Sequence, residues 1–324
     1  MSQQQPASGG AATAAPVTQH IWWSGKLMPW NEATVHVTSV GWPALSAVFE
    51  GIRGYWNPER ESLFIFRMDA HLARFWRSMR FMHLHPRWSA RELTLATAEL
   101  LRTDQARGDV YLQPMAFTLG GTRGNQPMAE QDAEIYIHAR PAPSQLGTCR
   151  PVKVCVSSWT RIHEAVLPPR IKAIVNYQNS RLGGTEATRG GYDMALFLNE
   201  QGKVAEGGGS CIFMVREHQL ITPPITAGIL ESVTRASVME LAAKELGLTV
   251  VERDIDRSEM YFADEAFFCG TMAELTPVAS VDGFEMGEGR SPGHVTTQLS
   301  ELFERVVRGN VLEYRHWLEE VRIG

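Results

Sequence analysis

The chain has 324 residues, 44% hydrophobic and 21% charged, with 31 Lys and Arg against 36 Asp and Glu and a formal net charge of -5. That length is beyond the usual single domain, so one large domain or two smaller ones are the options, with ample residues for a core. Mild acidity without a basic block gives no reason to expect nucleic acid or an anionic membrane as a partner, and no run is long and apolar enough to span a bilayer.

Residues 1–18, "MSQQQPASGGAATAAPVT", are low in complexity, with neither the charged nor the apolar region of a signal peptide, and read as a disordered tail. "HIWWSGKLMPWNEATVHV" reads as two strands about a Ser24-Gly25 turn, and a third strand-like run leads into "AVFEGIRGYWN". From Asp69, suited to an N-cap, Leu72, Phe75, Met79 and Met82 recur at helical spacing. A second helix begins at Ser89, with Glu92 three residues on as a capping box. Strands "DVYLQPMAFTL" and "AEIYIHARP" follow.

The segment 141–151, "PAPSQLGTCRP", carries three prolines with Gly and Ser and is the best candidate for an interdomain loop. It would divide a small N-terminal α+β domain, 19–140, from a large C-terminal one, 152–324. Beyond it come strand "VKVCVSSW", helix "NSRLGGTEATRGG" and the hairpin-like run "DMALFLNEQGKVAEGGGSCIFMVREHQLITPP". A helix from about Thr234 to Leu246 stops at Gly247; strands "LTVVERDI" and "EAFFCGTM" and the helix "HVTTQLSELFERVVRG" complete the order. Helices and hairpins mix without strand-helix alternation, which predicts an α+β fold. The cysteines, Cys149, Cys155, Cys211 and Cys269, form no Cys-x-x-Cys pair and lie mostly in apolar surroundings, as reduced thiols of a cytoplasmic protein would.

The local anomaly is Lys172. Lysine is scarce, occurring only at 26, 153, 172, 203 and 244, and four of these have a plain solvent-exposed reading. Lys172 alone sits among Ile171, Ala173, Ile174 and Val175, followed by Asn176, Tyr177, Asn179 and Ser180. Desolvation disfavours an ammonium and makes the amine a nucleophile able to bond a carbonyl, including the aldehyde of pyridoxal phosphate. A lysine that snorkels its amine out of a strand is the plainer alternative. Other groups suit the same cofactor: Glu206, a carboxylate before three glycines, for a pyridine nitrogen, and the turns "SVTRAS" and "CGTMAE" for a phosphate. No Walker motif, Gly-x-Gly-x-x-Gly strand-helix turn, Gly-x-Ser-x-Gly elbow or His-x-x-x-His pair occurs, so no metal is expected.

In order along the chain, "VFEGIRGY", "HLARF", "YLQP", "IKAIVNYQNS", "GYDMALFLNEQGKVAEGGGS", "TRASVMELAAKELG" and "ADEAFFCGTMAELTPVASVDG" closely resemble the branched-chain aminotransferases. These are fold-type IV, or class IV, pyridoxal-phosphate enzymes, and the resemblance runs from about residue 20 to 320. It implies a two-domain α+β fold like that of D-amino acid aminotransferase, with the cofactor between the domains, and at least a homodimer whose partner loop completes the pocket. It further implies ping-pong transfer of nitrogen from an amino donor to a 2-oxo acid acceptor. By the same resemblance Lys172 is the Schiff-base lysine, Glu206 the partner of the pyridine nitrogen and Tyr177 that of the phenolic oxygen. Arg74, Val233, Thr234 and Thr271 correspond to the phosphate cradle. Phe49, Gly51, Arg53 and Tyr111 correspond to pocket positions, and Met272 and Ala273 to the turn that holds the substrate carboxylate.

The departures cluster at the pocket. Ala44 stands where relatives often carry a tyrosine, Cys211 where an asparagine is common, and "PAPSQLG" lacks their loop aromatics. Gln113 replaces an arginine that helps accept the side-chain carboxylate of glutamate. A wider, less positive pocket is expected, selective for something other than the leucine-glutamate pair. Within the same fold type a D-amino acid aminotransferase, an (R)-amine transaminase or an aminodeoxychorismate lyase would share Lys172 and Glu206, as would a non-catalytic binding protein that kept the fold.

Overall fold

A computed structural model describes residues 19–37, 42–119, 130–148 and 150–324. The expected tail, 1–18, and Cys149 lie outside the described residues.

Among the described residues two large sheets carry the fold. The first has eight strands, ordered Leu318–Arg322, Ser62–Phe66, Ile52–Asn57, Val110–Phe117, Glu134–Pro141, His20–Trp23 and Lys26–Pro29, with Val48–Phe49 also pairing to Val110–Phe117. Every pairing in it is antiparallel. The second has nine strands and is mixed: Val152–Val156 runs parallel to both Met194–Leu198 and Glu274–Val281, while Cys211–Arg216 pairs antiparallel with Glu265–Gly270. This is the expected α+β class, with hairpins and helices interleaved and no regular alternation.

The helix Met68–Phe81 buries Leu72, Phe75 and Met79 against the first sheet, each side chain contributing about 1.5–3 kcal/mol by leaving water. Its start corrects the expectation for Asp69. The N-cap is Arg67, in a left-handed conformation at φ 50, and Asp69 lies inside the first turn, where its charge still complements the helix dipole. Arg67 is held there by its amide, which donates to the Trp317 carbonyl at 2.7 Å, and by its guanidinium, 4.9 Å from the Trp317 ring. The Ser89 capping box forms as predicted: the Glu92 amide donates to Ser89 Oγ, and the Glu92 carboxylate accepts from the Ser89 amide.

The predicted helix near 234 runs Val233–Glu245, with Ser232 as its cap. In the helix Tyr177–Arg189, Gly183 is demanded by packing, since a Cβ there would lie 2.3 Å from the Phe197 ring. Among the strands that escaped the sequence pattern are Ser62–Phe66, Glu274–Val281 and Leu318–Arg322. Ser62–Phe66 is buried at every position, so no period of two is visible, and Leu318–Arg322 returns from the chain's end to pair with it in the first sheet. No helix among the described residues is long and apolar enough to cross a membrane.

Candidate active site

The segment carrying Lys172 has no regular structure of its own and is pinned from several sides. The Lys172 amide donates to Ser78 Oγ at 3.2 Å, its carbonyl accepts from the Phe49 amide at 3.1 Å, and the Ile174 amide donates to the Ala47 carbonyl at 2.9 Å. Asn176, buried, ties the approach to this loop by donating to the carbonyls of Pro168 and Ile171. These bonds hold the Lys172 side chain half-buried in a cavity of about 220 Å³. Its amine lies 2.7 Å from the hydroxyl of Tyr177 and 4.8 Å from the Phe49 ring.

Across the same cavity stands Glu206, buried on the strand Val204–Gly207. Arg161 Nε donates to one carboxylate oxygen at 2.8 Å and the Leu230 amide to the other at 3.3 Å. Arg161 is itself fixed by Asn179 Oδ1 at 3.0 Å. Burial pushes the Glu206 carboxyl above the ordinary range, and the Arg161 charge and the Leu230 amide oppose that rise. The result is a carboxylate poised toward a cationic partner that would share its desolvated surroundings.

A third side of the cavity is built for an anion. Arg74 lines it beside Ser232 and Val233, where the helix Val233–Glu245 begins with amides that have no intrahelical partner. Arg74 is oriented by Glu50, whose two oxygens accept from Nε at 2.7 Å and Nη2 at 2.8 Å, while Nη1 donates to the Glu231 carbonyl at 2.7 Å. Glu50 is fully buried and also contacts His71 Nδ1 at 2.8 Å. Its burial would raise its pKa, but Arg74 and His71 together hold the carboxyl well below the usual range. Ser210 Oγ, in the cavity wall, is buried without a hydrogen-bond partner among the described residues. Gly208 and Gly209 leave the backbone bare along the same wall, and a Cβ on either would meet only ordinary contacts at 3.6 Å or more.

Of the residues singled out in the sequence, Lys172, Tyr177, Glu206, Arg74, Val233, Thr271, Phe49, Gly51, Tyr111 and Met272 all line this one cavity. Thr271 Oγ1 donates to the Gly51 carbonyl at 2.9 Å, joining the turn after one sheet to a turn in the other. Arg53, Gln113, Thr234 and Ala273 do not line it. Arg53 is buried, bonded to the Ala142 carbonyl and 3.6 Å from Glu274, whose carboxylate also accepts from Ser144 and Gln145. It therefore secures the 142–145 segment. Gln113 faces His138 across the first sheet, and Thr234 borders a separate small void with Arg53 and His71. Sequence reasoning passed over Glu50, His71, Arg161 and Ser210. Glu50 carries the same signal as Lys172, a charge inside an apolar run.

An antiparallel sheet, a mixed sheet and helices around a cavity that combines an amine, a buried acid and an anion cradle define a fold and donor set suited to pyridoxal phosphate. A family model for amino-transferase class IV matches residues 47–281. A probable branched-chain-amino-acid aminotransferase of Aquifex aeolicus (strain VF5) is 39% identical over 297 residues, covering 92% of this chain and 95% of that relative. The branched-chain-amino-acid aminotransferase of Escherichia coli (strain K12) is 35% identical, covering 93% and 97%. The crystal structure of the branched-chain amino acid aminotransferase from Thermobaculum terrenum in its PLP form superposes with a TM-score of 0.91 at 49% identity, over 94% of this chain and 98% of that one. The chain belongs to the class IV aminotransferases and is a pyridoxal-phosphate-dependent enzyme.

Proposed function

We propose that the protein transaminates branched-chain and other hydrophobic L-amino acids with 2-oxo acids by a ping-pong mechanism. The observation that carries this reading is the Lys172 amine and the Glu206 carboxylate facing one cavity whose third side is an anion cradle. The relatives named above, branched-chain aminotransferases by description, support the substrate class.

In this reading Lys172 anchors the cofactor and carries the proton to and from the substrate α-carbon. Tyr177, 2.7 Å from the amine, orients it and hydrogen-bonds the cofactor's phenolic oxygen. Glu206 holds a proton on the pyridine nitrogen, with Arg161 fixing the carboxylate. Arg74 and the Val233 and Thr234 amides would hold the phosphate, the open Ser210 hydroxyl would offer a further donor, and the Thr271 hydroxyl would join them by turning from the Gly51 carbonyl. When bound there, pyridoxal phosphate supplies an electron sink for the α-carbon and a carrier for the amino nitrogen. Phe49, Gly51, Tyr111 and Met272 wall the substrate side. Met272 and Ala273 offer amides for the α-carboxylate, and Arg53 acts from behind by fixing the 142–145 segment.

We read the chain as two domains, 19–140 and 152–324, joined by 141–151, with the last strand rejoining the first sheet. The working form is a cytoplasmic homodimer or higher homo-oligomer in which a second copy's small-domain loop closes the pocket. Apolar side chains exposed around Trp30, Val35, Leu45 and Leu119 support that association.

The test is the visible spectrum of the cofactor-loaded protein before and after excess L-leucine, with no 2-oxo acid present. The expected result is loss of the yellow band with release of one equivalent of 4-methyl-2-oxopentanoate per subunit. A yellow protein that ignores L-leucine and other hydrophobic L-amino acids but responds to a D-amino acid or an (R)-amine overturns the assignment in favour of another class IV activity.

A further inference from the structure

Gln113 leaves the position expected to meet a substrate's side-chain carboxylate without charge, yet a guanidinium stands one strand away. Arg140 lies on the strand Glu134–Pro141 directly opposite Tyr111, and His138 directly opposite Gln113, so these four side chains share one face of the first sheet. The Arg140 guanidinium is 4.6 Å from the Tyr111 ring, and its Nη2 is 3.6 Å from Met272 Sδ. Tyr111 and Met272 both line the cavity that holds Lys172 and Tyr177, which places Arg140 at the edge of that cavity's substrate wall.

What engages Arg140 is unusual for an arginine this close to a site. No carboxylate lies within ion-pair distance of it among the described residues, and its partners there are an aromatic face and a thioether sulfur, a weak acceptor. Stacking on a ring occupies the guanidinium face and leaves its edge, with the in-plane N–H fork, for a planar anion. Beside it His138 Nε2 is buried without a hydrogen-bond partner among the described residues. Burial and the Arg140 charge push the His138 pKa down, so its ring adds a neutral polar atom and no second cation. Gln113 completes the patch with a neutral amide.

We propose that Arg140 is the specificity residue that binds the side-chain carboxylate of a dicarboxylic substrate, taking at a neighbouring position the charge that Gln113 lacks. This rests on the aminotransferase reading above and extends it. The apolar wall of Phe49, Tyr111 and Met272 accommodates an aliphatic side chain, and Arg140 at its edge accepts the carboxylate of a C5 amino or 2-oxo diacid in the same cavity.

The experiment compares glutamate and leucine half-reactions on single cofactor-loaded preparations of the wild type, Arg140→Gln, Arg140→Ala and Arg140→Lys. The readout is the ratio of the two kcat/KM values, in which any misfolded fraction cancels. Losing a charge-assisted bond to the carboxylate should lower the glutamate-to-leucine ratio by about tenfold to hundredfold in the Gln and Ala variants, chiefly through the KM for glutamate, with Arg140→Lys recovering part. A ratio within about twofold of wild type in both neutral variants overturns the proposal, given that a lost charged contact exceeds that margin. So does a wild type that processes leucine but no dicarboxylate. A wild type that processes neither leucine nor any other hydrophobic L-amino acid removes the underlying reading as well, so the two failures are told apart.

Discussion

Replacing Glu50 with glutamine tests whether the anion cradle is held by a buried charge pair. Glu50 is fully buried and accepts from Arg74 Nε at 2.7 Å, from Arg74 Nη2 at 2.8 Å, and lies 2.8 Å from His71 Nδ1. Glutamine keeps the shape but turns one acceptor into a donor aimed at another donor, and it leaves the Arg74 guanidinium, on a side chain only 5% exposed, without its counter-charge. Breaking one side of such a pair costs about 3–5 kcal/mol. At about 2–4 °C per kcal/mol for domains of this size, Tm should fall by roughly 10 °C at pH 7. The sign of the pH dependence follows from the lowered pKa. Glu50 contributes stability that is present above the unfolded value of about 4.3 and is lost as pH falls toward the depressed folded value. The gap between wild type and Glu50→Gln should therefore be full at pH 7 and shrink below about pH 4, read by thermal unfolding across that range. A variant within about 1 kcal/mol of wild type at pH 7, or a gap that widens on acidification, would refute the argument.

In wild-type protein loaded with pyridoxal phosphate, borohydride reduction followed by peptide mass analysis should place the cofactor on Lys172, and recovery on another lysine would sink that assignment; Lys172→Ala should lose turnover entirely. Glu206→Gln should keep the cofactor yet lower kcat by about a hundredfold, a transition-state loss near 2.7 kcal/mol, and a loss under about tenfold at full occupancy would count against the pyridine-nitrogen role. Gly51→Ala puts a Cβ 2.1 Å from the Tyr111 hydroxyl oxygen and 2.7 Å from its ring carbon, so kcat/KM should fall by about tenfold or more as the ring is pushed aside. Adding Tyr111→Phe to Gly51→Ala removes the nearer clash and should recover part of that loss; an unchanged Gly51→Ala enzyme would show that the wall yields.

How much of this was legible depends on how far each signal lies from its partner. The Ser89 cap and its Glu92 are three residues apart, and a box that closes within one turn is visible in the string. Lys172 and Glu206 are visible for a related reason, since a charge among β-branched neighbours or before three glycines is an oddity judged against its immediate context. The strand Ser62–Phe66 offers no such contrast, because full burial erases alternation, and its partner Arg322 is at the far end of the chain. Arg74 meets Glu50 across 24 residues and Arg161 meets Glu206 across 45, distances at which nothing in either local stretch names the other. Arg140 is hidden more thoroughly: "HARP" reads as the outward polar step of an ordinary strand, and only the register that sets it against Tyr111 brings it to the cavity. The groups that a reaction would use are thus recognisable as local anomalies, whereas of those that aim them only Glu50 breaks its local pattern, and Arg161 and Arg140 acquire their role from pairing. A charge lost at one position, as at Gln113, therefore has to be sought among its cross-strand neighbours before the pocket is declared neutral, because adjacent positions on one sheet face can deliver a long side chain to the same point.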